Sequence, residues 1–121
     1  MDKNRKELYE KIEEMRQSKL IVYVTSDRID FGASISDDAV NYILKHLDTI
    51  GKVDKISLYL YTLGGDTLAA WNIVNLIRQF CNKLEIIVPW KARSAGTLMC
   101  LGADNIIMTK QATLGRSEER R

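Results

Sequence analysis

The stretches ISLYLYTLGGD (56–66) and LEIIVPWKARSAGT (84–97) share one plan. Each begins with an apolar run of strand length, turns on small residues, and leads into a segment of helical character. After the first turn, Ala69, Ile73, Leu76, Ile77 and Phe80 form one stripe of a helix over 67–82. After the second, SAGTLMCLG starts a small-residue helix at Ser94. KAR (91–93) reads as a short loop between them.

The same alternation extends outward. Upstream, LIVYV (20–24) predicts a strand covered on both faces, followed by a loop over 25–34. Ser36-Asp37-Asp38 then starts a helix over 37–50 with the stripe Val40, Ile43, Leu47, Ile50 and the stop Gly51. Downstream, NIIMT (105–109) predicts another strand. Strands separated by helices argue a parallel sheet with right-handed crossovers, an α/β fold over 20–115. Residues 1–19, with Leu8, Ile12 and Met15 on one side and Glu7 paired to Lys11, form an amphipathic helix before it. Residues 116–121, all polar, read as a charged, disordered tail.

Composition narrows the function. With 121 residues, 45% hydrophobic, the chain can bury one core. Charges nearly cancel to +2, which supplies no basic field for nucleic acid. Cys81 and Cys100 sit in apolar segments without CxxC spacing and read as reduced core thiols. No apolar stretch approaches the roughly 20 residues of a membrane span, and the polar N-terminus lacks the apolar region of a signal peptide; a cytoplasmic protein is expected. Neither a phosphate loop, a dinucleotide fingerprint nor a metal-ligand cluster is present, so no cofactor is expected.

In a parallel sheet, ligands bind where the loops gather at the carboxyl ends of the strands. Two loops fall there. Gly64-Gly65-Asp66 can turn backbone N–H groups outward before a helix, an oxyanion cradle in form. Lys91-Ala92-Arg93-Ser94-Ala95 puts a hydroxyl at a helix start. Together they offer half of an acyl-transfer site: a nucleophile in Ser94 and donors in Gly64, Gly65 and Ala95. Asp66, Lys91 and Arg93 are the candidate substrate-binding residues. Each feature also has a purely structural reading: a tight turn, an N-cap serine, and an acid in a first helical turn. A base is harder to find. His46, the sole histidine, lies on the flank of its helix stripe and reads as solvated, and Lys91 or Lys110 would need burial to act. Trp71, in the polar arc of its helix beside Asn75 and Arg78, is an expected anchor for another copy of the chain.

The segments LYLYTLGGDTLAAWNIVNLIRQF and VPWKARSAGTLMCLGADNIIMTKQATLG resemble the serine dehydrogenase proteinase family, a branch of the Clp/crotonase superfamily that also contains signal peptide peptidases. The likeness covers most of residues 20–115 and rests on Gly-Gly-Asp at 64–66, Ser-Ala-Gly-Thr at 94–97 and Gly-Ala-Asp at 102–104. It implies a Clp/crotonase-like sheet, Ser94 as nucleophile, the N–H groups of Gly65 and Ala95 as oxyanion hole, and a peptide or protein substrate. It also implies a histidine or lysine base further along the chain, and a Pro-Ile-Asp-Pro-like segment that continues past the last strand. Here residues 115–121 read GRSEERR instead, so the expectation is a fold incomplete at its C-terminus, with impaired hydrolysis and self-association through uncovered surfaces. Leu63 stands where relatives often carry Pro or Arg. Two alternatives remain: a catalytically silent fragment or pseudoenzyme acting as an assembly module, and a crotonase-like acyl-thioester enzyme.

Overall fold

The computed structural model of the chain describes residues 3–24, 37–62, 65–89, 91–93, 95–110 and 112–115. In order these form α1 (Lys3–Arg16), β1 (Lys19–Val24), α2 (Asp37–Ile50), β2 (Val53–Tyr61), α3 (Thr67–Arg78), β3 (Cys81–Val88), β4 (Lys91–Arg93), α4 (Ala95–Leu101), β5 (Asn105–Met108) and β6 (Thr113–Gly115). The main sheet is parallel throughout, in the order β1-β2-β3-β5. Each step moves the same way across the sheet, so right-handed crossovers place α2, α3 and α4 on one face. This is the α/β architecture that the alternation predicts. The loop over 25–34 and the tail over 116–121 lie outside the described residues.

Register makes the core. Ile21 pairs with Leu58, Leu58 with Ile86 and Ile86 with Ile106, and in-register parallel neighbours share a face. That row, with Ile56, Leu60, Leu84 and Val88, packs under Ile43 and Leu47 of α2, Ile73 and Ile77 of α3 and Met99 of α4. Fully burying an Ile or Leu side chain contributes about 1.5–3 kcal/mol, so this one layer supplies most of the drive to fold.

Four readings of the sequence need correction. β1 is not covered on both faces: among the described residues it lies at the sheet edge, with Ile21 and Tyr23 buried, Leu20 and Val22 partly buried and Val24 exposed. α3 ends at Arg78 with Gln79 as its cap, and β3 begins at Cys81, because Val53 and Lys55 at the start of β2 pair with Cys81 and Lys83. The exposed Asn82 and Lys83 hide that strand start from a hydrophobicity reading. Lys91–Arg93 is a strand rather than a loop, paired in parallel with β6 in a second, two-stranded sheet. Three-residue strands are too short to show a period, and only tertiary pairing reveals them.

The opposite face of the main sheet carries a buried charge. Glu85 is 0% exposed. Arg16 at the end of α1 grips it with two hydrogen bonds, Nε to Oε2 at 2.9 Å and Nη2 to Oε1 at 2.6 Å. Ser57 donates to Oε2 at 2.9 Å, Asn105 donates to Oε1 at 3.0 Å, and the Lys55 ammonium lies 3.2 Å from Oε1. Lys55 also donates to the Arg16 carbonyl at 3.1 Å, and Glu13 accepts the Leu20 N–H at 2.8 Å. α1 is thus docked by polar bonds at its carboxyl end, while Leu8 and Met15 stay exposed. Burial alone would raise the Glu85 pKa, but the bonds from Arg16, Asn105, Ser57 and Lys55 outweigh it and hold the carboxyl at about 2, against an ordinary 4.5.

α1 closes with a left-handed residue. The Ser18 N–H bonds the Glu13 carbonyl and the Gln17 N–H bonds the Glu14 carbonyl, the paired bonds of a Schellman cap, with Gln17 at φ +52° where glycine is usual.

Two outcomes follow for stability. Because the folded-state pKa of Glu85 is depressed, its contribution, on the order of 3 kcal/mol, is complete above the unfolded value and is lost as pH falls. In urea titrations Glu85→Gln is therefore expected to be strongly destabilised at pH 7, with the gap to wild type closing as pH drops from 4.5 toward 2. Gln17→Gly is expected to raise stability by about 0.5–1 kcal/mol in the same titration, by relieving the left-handed backbone.

Candidate active site

β2 ends at Tyr61, and its next residue, Thr62, is fully buried at the carboxyl edge of the sheet. Thr62 forms a parallel bridge with Ala92 of β4, and its carbonyl accepts the Arg93 N–H at 2.9 Å. The two loops singled out from the sequence are thereby stitched together through their flanks. Leu63, Gly64 and Ser94 lie outside the described residues; Thr62 and Gly65 bracket the first pair in sequence, and Arg93 and Ala95 bracket the serine.

Gly65 holds φ +147°, a conformation that residues with a side chain rarely adopt. The sequence reading of a glycine-dependent turn is met at this position. Asp66 then caps α3: its Oδ1 accepts from the Leu68 N–H at 2.9 Å and the Ala69 N–H at 3.3 Å. On the other side, Ala95 opens α4 fully buried, and the Thr97 hydroxyl donates to the Ala92 carbonyl at 2.9 Å, tying the first turn of the helix back to β4. α4 spans only seven residues, so any anion held here would be met by individual N–H groups of its first turn rather than by a sizeable macrodipole.

Among the described residues, His46, Lys110 and the two thiols are kept elsewhere or held inert. His46 is exposed on α2, edge-on to Tyr42 at a ring separation of 4.8 Å, in a cleft it shares with Lys19 and Leu20. Those two residues begin β1, which puts the imidazole at the amino edge of the sheet, opposite Gly65 and Ala95. Lys110 is exposed just past β5. Burial pushes the Cys100 thiol up to about 11, and burial is also the main cause that raises Cys81, so both thiols stay protonated near neutral pH. Among the described residues no group of three or more His, Cys, Asp or Glu side chains is gathered for a metal, and no helix is long and apolar enough to cross a membrane.

The model of a family described as ClpP-like SDH-type serine proteinase matches residues 1–120. The chain belongs to that family. It is similar to two uncharacterized proteins of Methanocaldococcus jannaschii. One, MJ0137, is 40% identical over 73 residues, which cover 60% of this chain and 26% of that protein. The other, MJ1495, is 40% identical over 60 residues, covering 50% of this chain and 20% of that protein. The matched segments thus span about a quarter or less of these curated relatives.

Within this ClpP-like SDH-type chain, the Gly-Ala-Asp element at 102–104 does structural work. The Asp104 carboxylate accepts the Leu84 N–H at 2.7 Å and Arg78 at 3.3 and 3.4 Å, while the Asp104 N–H bonds the Leu84 carbonyl at 2.8 Å. The Leu84 bond, followed by Arg78, lowers the Asp104 pKa. Thr62 was not marked by the sequence reading, because a threonine ending a strand carries no signal of what it meets. Of the candidate substrate-binding residues, Asp66 is engaged as a cap, Arg93 is half-buried at the end of β4, and Lys91 begins that strand.

The cap gives a direct check. Asp66→Ala is expected to lower stability by about 1 kcal/mol in thermal or urea unfolding, while Asp66→Asn keeps most of it.

Proposed function

We propose that the chain carries the acylation half of a serine hydrolase site, with Ser94 as nucleophile and the N–H groups of Gly65 and Ala95 as oxyanion donors. One observation carries the reading: the Thr62–Ala92 bridge and the Arg93–Thr62 bond hold the two loop flanks side by side at the carboxyl edge of a parallel sheet. Membership of a serine-proteinase family supports the same chemistry.

In this mechanism the Ser94 Oγ attacks the carbonyl carbon of a peptide bond, and its proton passes to a base. The carbonyl oxygen gains negative charge and is met by the Gly65 and Ala95 N–H groups. The leaving amine takes a proton, and water then cleaves the acyl ester. His46, at the opposite sheet edge, is not placed to be the base. That role falls to Lys91, to a residue of another copy or to one from a longer native chain rather than to the exposed Lys110, because a lysine would need burial to lose its proton near neutral pH. A second reading, a silent assembly module, is favoured by that same remoteness of His46.

Self-association belongs to the proposal. Leu68, Trp71, Leu98 and Leu101 expose a run of apolar surface on α3 and α4, with Leu68 64% and Trp71 48% accessible. Patches of this kind mark interfaces.

Intact-mass analysis after treatment with a fluorophosphonate is expected to show one adduct on the wild type and none on Ser94→Ala. Absence of label from both proteins would favour the assembly module. Light scattering is expected to show an oligomer that Trp71→Glu weakens; a monodisperse wild-type monomer would contradict self-association.

A further inference from the structure

Thr62 and Gly96 meet where the two loop flanks converge. Gly96 is the second residue of α4 and is buried. A Cβ built at Gly96 would collide with the Thr62 methyl, Cγ2, and would also lie 3.4 Å from the Ala92 Cβ. The backbone of α4 therefore rests directly on Thr62. The same residue bridges Ala92 and accepts the Arg93 N–H, so it touches the chain on both sides of position 94. It is also three positions before Gly65. A residue fully buried at 0% exposure, bonded to the strand before the serine and packed against the helix after it, fixes the height of that helix above the end of β2.

We propose that Thr62 is a positioning residue: the contact of its methyl with the bare Gly96 backbone sets the distance between the Gly65 N–H and the Ala95 N–H. The inference rests on Ser94 being the nucleophile and deepens that reading. Acyl transfer demands that nucleophile and oxyanion donors be held to a fraction of an ångström, and one added methyl at Gly96 pushes α4 away from β2. Thr62→Ser removes Cγ2, the atom that the new methyl would strike.

The test compares the fluorophosphonate labelling rates of four full-length proteins: wild type, Gly96→Ala, Thr62→Ser and the double variant, each checked for folding by circular dichroism. Gly96→Ala is expected to slow labelling by about 10²-fold while remaining folded, and the double variant to return to within about threefold of Thr62→Ser alone. Labelling of Gly96→Ala at the wild-type rate overturns the proposal, as does a folded double variant that stays more than about tenfold slower than Thr62→Ser. Should Gly96→Ala not fold, a double variant that folds and labels supports it, and one that folds without labelling overturns it. A wild type that takes no label at all rejects the nucleophile itself, and this inference with it; that outcome is distinct, because it precedes any substitution.

Discussion

β2 pairs in parallel with β1 on one side and β3 on the other, and the rest of the molecule is arranged around that pairing. Parallel neighbours cannot be joined by a tight turn, so the chain must cross over between strands, and the crossover helices settle on one face. That face becomes the core, with Ile56, Leu58 and Leu60 of β2 at its centre. The same geometry sends the loops after β2 and β3 to one edge. The edge where those loops meet is a by-product of the way the strands pair.

The other face shows what happens where apolar cover is thin. A carboxylate at Glu85 would be costly to bury alone, and it is tolerated because Arg16, Lys55, Ser57 and Asn105 converge on it. The arrangement fixes where α1 lands and leaves much of that helix in solvent. Packing sets one side of the sheet and electrostatics the other.

Much of this was legible in the sequence, for reasons that differ by element. The helix over 37–50 was readable to its boundaries because a first-turn acid pair, a continuous stripe and a terminal glycine agree with one another. The parallel sheet followed from apolar runs separated by helical periods. The second sheet was not readable, since Lys91–Arg93 and Thr113–Gly115 acquire strand character only by meeting. Glu85 was hidden for a related reason: an acid within LEIIV gives no hint that an arginine 69 residues earlier will reach it. At the site, Gly65 could be picked out because its backbone conformation demands glycine, whereas Thr62 matters only through what it touches.

In the proposed site the two loop flanks at the carboxyl edge together present a nucleophile and its oxyanion donors. The most direct test of that arrangement is a crystal structure of the protein after reaction with a small fluorophosphonate. Phosphorus is expected to be bonded to the Ser94 Oγ, with the phosphoryl oxygen accepting hydrogen bonds from the Gly65 and Ala95 N–H groups. An adduct on another residue, or a phosphoryl oxygen turned away from both donors, would contradict it.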